Sequence, residues 1–321
     1  MAAEPSGGVR LGYPGVTVHL RFRGEGLELR ARATSGDACF DVTIDGGEPR
    51  LLRLRVGEGG YALARGLAPR AEHTVALARR TESWQGVCTL ENFTLAAGGE
   101  WCEAPTLAER RLLFVGDSVT CGEMAGWTPG TVAPFPIAAN NALRSYGMLL
   151  ARRLGAQCHL VSYGGRGVLR DWQGFRHTVN APRFFDLALP DDPAAVWDHA
   201  RYVPDAVGVQ LGTNDFNQGV PAESEFVGAY VEFIRRIRRH APSAWIVVID
   251  SPIVTDQAGV ARRSVLRAYL DAVVGQAGDE RTVRATLRHY SGVPGNGHPM
   301  GADHVAMADE LEPVFRRALD G

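Results

Sequence analysis

Four short segments of this 321-residue sequence bring together residue types that can carry out acyl transfer: Gly116-Asp117-Ser118, Tyr163-Gly164-Gly165-Arg166-Gly167, Gly212-Thr213-Asn214-Asp215 and Gly297-His298-Pro299. A serine hydroxyl attacks poorly until a base takes its proton, and His298 is the base this set offers to Ser118. Attack on an ester carbonyl creates an oxyanion, which needs donors already in place. The backbone N–H groups of Ser118 and Gly165 and the side-chain amide of Asn214 are three such donors. Glycine at 165 lets the backbone approach closely, and an amide at 214 donates where a carboxylate could not. Taken singly, each segment reads as an ordinary turn or helix cap. Their order along the chain carries the argument.

That order matters because of the elements that precede them. From Val16 the sequence alternates, with Val16, Val18, Leu20 and Phe22 on one side of a strand and Thr17, His19, Arg21 and Arg23 on the other. Similar short strands follow around Leu27, Phe40 to Ile44, Leu52 to Val56, Leu63, Val75 to Leu77 and Cys88 to Leu95, with glycine-rich turns between them. This pattern predicts an all-β sandwich or jelly roll. After a linker the pattern changes to buried-type strands at Leu112–Val115, His159–Val161, Ala206–Leu211 and Trp245–Ile249, and a short one at Thr282–Ala285. Helical periodicity separates them near Ala142–Leu154, Ala222–Arg239 and Val260–Val274, with a last helix after Met300. The prediction is a three-layer α/β domain on a parallel sheet, and ligands of such sheets bind beyond the carboxyl ends of the strands. The four segments fall at those ends. In a flavodoxin-like strand order, Gly165 and Asn214 would flank Ser118.

Neighbouring residues have more ordinary readings. Asp117 caps the turn at Ser118, and Asp215 is expected to stabilise its loop. His304 is a rival base, but its spacing with Val305, Ala308, Leu311 and Phe315 suits a core or cleft wall. His298, Asp303 and His304 match no usual ligand spacing, so no metal is expected. Trp127 and Trp172 are candidate substrate-binding residues because flat aromatic faces suit sugar rings, although core packing explains either equally well. The Gly-, Ala- and Pro-rich segment 122–140 is expected to border the cleft.

Composition sets the outer bounds. Hydrophobic residues make up 45% and charged residues 22%, as in globular chains, and no apolar run is long enough for a membrane helix. A net charge of -2 gives no field for holding a nucleic acid. All basic residues are arginine, and the run Arg235-Arg236-Ile237-Arg238-Arg239 reads as a solvated helix face. The five cysteines show no metal-ligand spacing and do not form a disulfide framework. No signal peptide is visible, so the chain reads as cytoplasmic unless its N-terminus has been processed or recloned, in which case secreted or periplasmic.

Phe114-Val115-Gly116-Asp117-Ser118-Val119-Thr120-Cys121-Gly122 resembles the first block of the SGNH/GDSL hydrolases, and more narrowly that of carbohydrate esterase family 2. Tyr163–Gly167 resembles the second block, Leu211-Gly212-Thr213-Asn214-Asp215-Phe216 the third, and Gly297-His298-Pro299 with His304, Met307 and Ala308 the fifth. The resemblance spans the chain. It implies a jelly-roll sandwich domain over 1–98, a linker over 99–109 and an SGNH hydrolase domain over 110–321. It also implies a cofactor-free serine esterase that removes O-acetyl groups from carbohydrates such as acetylated xylan, glucomannan or oligosaccharides through an acyl-enzyme. Ser118 and His298 would be catalytic, with Ser118, Gly165 and Asn214 as the oxyanion hole. Most SGNH hydrolases carry an acid two or three positions before the histidine, where this sequence has Asn296 and Gly295. The Asn296 side-chain oxygen or a backbone carbonyl would then orient the imidazole, as in family members that work with a Ser-His dyad. Two alternatives are an esterase or lipase acting on lipid, aryl or thioester substrates, and a carbohydrate-binding protein with a weakened hydrolase site.

Overall fold

The computed structural model describes residues 1–5, 7–256 and 259–320. Its first part holds β1 (Ala2–Ala3), β2 (Val9–Leu11), β3 (Thr17–Arg23), β4 (Leu27–Ala33), β5 (Cys39–Ile44), β6 (Arg50–Arg53), β7 (Gly57–Ala64), β8 (Glu72–Arg79), β9 (Cys88–Leu95) and β10 (Glu100–Trp101). They form two antiparallel sheets, ordered β1-β2-β9-β4-β7 and β10-β3-β8-β5-β6. Burial follows the pleat, most clearly in β4, where every second residue is buried. The inward residues, among them Phe22, Leu27, Leu29, Phe40, Leu63, Val75 and Leu77, make one core. The sandwich continues into the segment expected as linker, because Glu100 and Trp101 pair with Arg23 and Phe22. Trp101 also lies edge-on against the Phe22 ring. Two residues show no periodicity, so the strand is invisible in sequence.

The second part alternates strands and helices: β11 (Arg111–Gly116), α1 (Ser118–Cys121), α2 (Tyr146–Arg153), β12 (Gln157–Ser162), α3 (Ala181–Phe184), β13 (Ala206–Gln210), α4 (Thr213–Asn217), α5 (Glu223–His240), β14 (Trp245–Ile249), α6 (Arg262–Ala277), β15 (Thr282–Ala285) and α7 (Gly301–Asp320). The sheet is parallel throughout and ordered β12-β11-β13-β14-β15, with the first strand between the second and third. Leu113, Val115, Val207 and Val209 pack on one face with Phe226, Tyr230 and Phe233 of α5 and Leu266 and Leu270 of α6. Leu112, Phe114 and Val247 pack on the other with Tyr146 and Leu150 of α2 and Leu311 and Phe315 of α7. Both faces are covered, which is why these strands read as continuous apolar runs. Helix α5 has Glu223 and Glu225 in its first turn and Arg238, Arg239 and His240 in its last, matching the helix dipole. Its arginine run is a partnered outer face: Arg235 pairs with Glu232, and Arg238 with Asp279. Helix α6 begins later than its periodicity suggests, where Asp256 accepts the N–H groups of Arg263 and Ser264.

The two parts meet along a polar seam. Tyr13 donates to the Phe184 carbonyl at 2.5 Å, Ser83 to Asp191 at 2.9 Å, and Arg80 to the Ala138 and Asn140 carbonyls at 2.7 and 3.2 Å. Beside it lies Arg79, the largest fully buried side chain. Its guanidinium donates to the carbonyls of Leu11, Thr81, Glu82 and Gly86 and to the Cys88 sulfur. One charged group thus ties down the turn at 81–86 by donating to buried carbonyls on both sides of it. Replacing it by methionine strands several buried carbonyls at about 1–3 kcal/mol each. Arg79→Met is therefore expected to lower stability by at least about 3 kcal/mol in urea unfolding, whereas Arg235→Met on the outer face of α5 leaves it within about 0.5 kcal/mol.

Candidate active site

Parallel register brings the loops of the site to one level, because Gly116 is paired with Ser162 on one side and with Gln210 on the other. The chain leaves all three strands at that edge, so Ser118 at the start of α1, Gly165 on a loop and Asn214 at the start of α4 follow adjacent strands. Asp117 caps α1, accepting the Val119 N–H at 3.0 Å, and Ser118 is the first residue of the helix. First-turn N–H groups have no partner within their helix, so that of Ser118 is available to an anion. Burial pushes the Asp117 carboxyl up to about 7 against the hydrogen bonds that favour its charge. Glycine is required at 116, where a Cβ would lie 2.0 Å from the Thr120 hydroxyl.

His298 comes from the loop before α7. This loop folds back on itself, with Val293 donating to the His298 carbonyl at 2.8 Å and Gly297 to the Val293 carbonyl at 2.8 Å. Gly292 has φ +66°, and a Cβ there would lie 2.4 Å from the Gly297 oxygen. The loop delivers the imidazole to the serine, with Ser118 Oγ 2.7 Å from His298 Nε2. On the far side of the ring, Nδ1 lies 2.7 Å from Asn296 Oδ1, which also accepts the His298 N–H at 3.1 Å. The neutral side chain, and not a backbone carbonyl, faces the imidazole. An N–H at Nδ1 leaves Nε2 as the acceptor for a serine proton.

The loops on which the expected oxyanion donors lie are built from glycines and one amide. Gly165 adopts φ +74°. Asn214 donates one amide hydrogen to the Arg166 carbonyl at 2.9 Å, which fixes the side chain against the same loop. Asp215 has the loop-holding part expected of it. It is fully buried and accepts the N–H groups of Val168, Leu169 and Arg170 at 3.1, 2.8 and 3.0 Å. Burial raises its carboxyl above the usual range. A Cβ on Gly167 would come within 2.2 Å of that carboxylate.

His304 is buried in the core. It stacks on Tyr146 and accepts the Tyr146 N–H at 3.2 Å, and burial pushes it down to about 3, so it stays neutral. Asp303 caps the start of α7 by accepting the Met300 N–H. These partners leave His298, Asp303 and His304 in three separate roles. Elsewhere, Asp186, His199 and His240 place ligand-type atoms within 4.8 Å of one another. Arg236 already pairs with Asp186, however, and the two imidazoles stack face to face at 3.9 Å.

The two tryptophans part company. Trp172 is half exposed, donates its backbone N–H to the Gly165 carbonyl at 2.9 Å and presents an open indole beside the oxyanion loop. Trp127 packs with Met124, Ala139 and Val293, and its indole N–H is taken by the Thr131 carbonyl. It supports segment 122–140 against the His298 loop. Two carboxyls escape the sequence reading. Glu123 lies 3.5 Å from His298 Nε2 and 3.4 Å from the Asn296 amide nitrogen. Glu82, from the sandwich, accepts the Gly164 N–H. Glu123 could have been found from its place five residues after Ser118, on the same turn. No local signal marks Glu82.

Two families match this chain: residues 2–105 match the carbohydrate esterase 2 N-terminal family, and residues 114–305 the GDSL-like lipase/acylhydrolase family. An acetylxylan esterase/glucomannan deacetylase of Cellvibrio japonicus is 35% identical over 314 residues, covering 96% of this chain and 84% of that protein. The cellulase/esterase CelE of Acetivibrio thermocellus is 28% identical over 99% of this chain, which spans only 38% of that protein. The solved structure of a family two carbohydrate esterase from Cellvibrio japonicus superposes with a TM-score of 0.93 at 33% identity, over 99% of this chain and 92% of that one. A family two carbohydrate esterase from Clostridium thermocellum in complex with cellohexaose gives 0.90 at 26% identity, over 99% and 96%.

With Asn296 Oδ1 as the acceptor facing Nδ1, Asn296→Ala is expected to lower kcat for p-nitrophenyl acetate roughly 10- to 100-fold with KM little changed, because the ring loses its tautomer and orientation. Asn296→Asp, which keeps an acceptor oxygen at the same reach, is expected to stay within about threefold of the wild type or exceed it.

Proposed function

The chain belongs to carbohydrate esterase family 2, with a GDSL-like acylhydrolase as its second module, and we propose that it uses Ser118 and His298 to remove O-acetyl groups from polysaccharides such as xylan or glucomannan. The 2.7 Å contact between Ser118 Oγ and His298 Nε2 is the observation that carries this reading. Ser118 Oγ attacks the acetyl carbon while its proton passes to Nε2. The oxyanion is received by the N–H groups of Ser118 and Gly165 and by the Asn214 amide, one such donor being worth about 3–4 kcal/mol. Collapse expels the sugar oxygen, which takes the proton from His298. Water then repeats the sequence on the acetyl-serine, with His298 as base, and releases acetate. Both bonds are broken by the same proton shuttle, so no outside acid is needed.

The imidazolium formed midway needs a counter-charge. In most SGNH hydrolases a carboxylate at Nδ1 supplies it, but here that place holds an amide. Glu123 stands 3.5 Å from Nε2 and supplies negative charge from the other side of the ring. Trp172 gives the sugar a flat apolar face beside Gly165. The partner is therefore an acetylated carbohydrate. No helix among the described residues is long and apolar enough to cross a membrane, and the net charge of -2 gives no attraction for nucleic acid.

Acetate release from acetylated xylan and glucomannan is expected to exceed release of longer acyl groups from matched p-nitrophenyl esters. Ser118→Ala and His298→Ala are each expected to lower kcat by at least about 10³-fold. A fluorophosphonate should label the wild type at Ser118 and leave the Ser118→Ala variant unlabelled. Undiminished turnover in Ser118→Ala would remove the mechanism.

A further inference from the structure

We propose that Glu82, on the β-sandwich, is a positioning residue for the oxyanion loop of the hydrolase module, so that the esterase site is completed by both modules. The observation is a buried contact across the seam: the Glu82 carboxylate accepts the Gly164 N–H at 2.5 Å. The side chain is buried, and a Cβ on Gly164 would lie 2.9 Å from each of its oxygens. Gly164 immediately precedes Gly165, whose N–H is an oxyanion donor in the reading above.

Two adjacent glycines make that donor hard to hold. The peptide between them turns about ψ of Gly164 and φ of Gly165, neither restrained by a Cβ, so it rotates more freely than any other linkage of the loop. Holding the Gly164 N–H anchors the peptide plane on one side of that linkage. Trp172, which donates to the Gly165 carbonyl, anchors the plane on the other side, and Tyr163 donates to the Gly116 carbonyl at 3.1 Å. The stretch 163–165 is therefore anchored at each of its three residues, and one of those anchors comes from the other module.

Glu82 is itself held rigidly. Arg79 donates to the carbonyls of Thr81, Glu82 and Gly86, while the Glu82 N–H goes to the Gln85 side chain at 3.1 Å. The next residue, Ser83, donates to Asp191, which also accepts the Tyr163 hydroxyl at 2.8 Å. The turn at 81–86 thus grips the residues on either side of the Tyr163–Gly164 bond. Burial, and then the charge of Glu123, push the Glu82 carboxyl up to about 7. A group that is partly protonated near neutral pH can accept the N–H while adding little negative charge beside a forming oxyanion.

The inference rests on the acyl-transfer reading, and the test separates the two. Glu82→Ala and Glu82→Asp, the latter one methylene too short, are expected to lower kcat for p-nitrophenyl acetate about 10- to 100-fold with KM within about twofold, as a displaced oxyanion donor does. Glu82→Gln, which keeps an acceptor oxygen at the same reach, should recover to within about threefold. Gly164→Ala alone should also cost about tenfold or more, but only about threefold or less in the Glu82→Ala background, where the carboxylate it strikes is gone. Affinity for a boronic acid that mimics the tetrahedral adduct should fall in parallel with kcat. Wild-type turnover in Glu82→Ala or Glu82→Asp would overturn the inference, as would equal penalties for Gly164→Ala in both backgrounds. If Glu82→Ala does not fold, Glu82→Gln and Glu82→Asp decide: equal losses in both would overturn the acceptor account. Failure of the acyl-transfer reading looks different, since Ser118→Ala would then keep its activity.

Discussion

The site depends on holding glycine-rich backbone still by means of side-chain acceptors, most of them buried beneath it. A transition state gains from backbone donors only if they are fixed beforehand, yet the residues that allow close approach have no side chains with which to pack. Each loop meets the conflict in the same way. Asp215 takes three N–H groups of the oxyanion loop, Asn296 takes the backbone and ring of His298, Asp117 takes the first turn of α1, and Glu82 takes Gly164. All four are carboxyl or amide oxygens facing N–H groups, and three of them are carboxyls that burial pushes up. Desolvating them is costly, and the hydrogen bonds they accept are what offset it.

The imidazole shows a related economy of charge. Removing the acid usual at Nδ1 does not leave the ring unsupported, because a neutral oxygen can set tautomer and orientation without supplying charge. In the mechanism proposed above the charge would come from Glu123, 3.5 Å from Nε2 on the side of the ring that faces the serine. Orientation and electrostatic support, which a single carboxylate combines elsewhere, are here divided between Asn296 and Glu123.

Much of this was legible in the sequence. The α/β half was readable because a parallel sheet covered on both faces writes its strands as apolar runs, and its register then brings Ser118, Gly165 and Asn214 to one edge. His298 was readable from its place after the last strand, and Asn296 from its spacing to His298. The fates of Asp215 and His304 followed from helix and loop positions. What was illegible was set by tertiary contact. β10 is too short to show a period, and its pairing with Arg23 and Phe22 depends on a partner strand some eighty residues earlier. Trp127 and Trp172 look alike in sequence and differ only in what surrounds them. Glu82 and Gly164 are separated by 82 residues and by the whole boundary between modules.

That boundary bears on how such a chain could be inherited. Joined by a supple tether, a sandwich and a hydrolase could be shuffled by recombination, each keeping its trade in a new host. The seam through Tyr13, Ser83 and Arg80 denies them that liberty, since it is stitched through backbone carbonyls and a shared aspartate on the far side. A crossover between residues 95 and 110 would deliver a hydrolase with bare carbonyls at 138 and 140 and an Asp191 missing one of its two hydroxyl partners. The two halves are expected to travel through evolution as one gene segment and to drift in step along the seam.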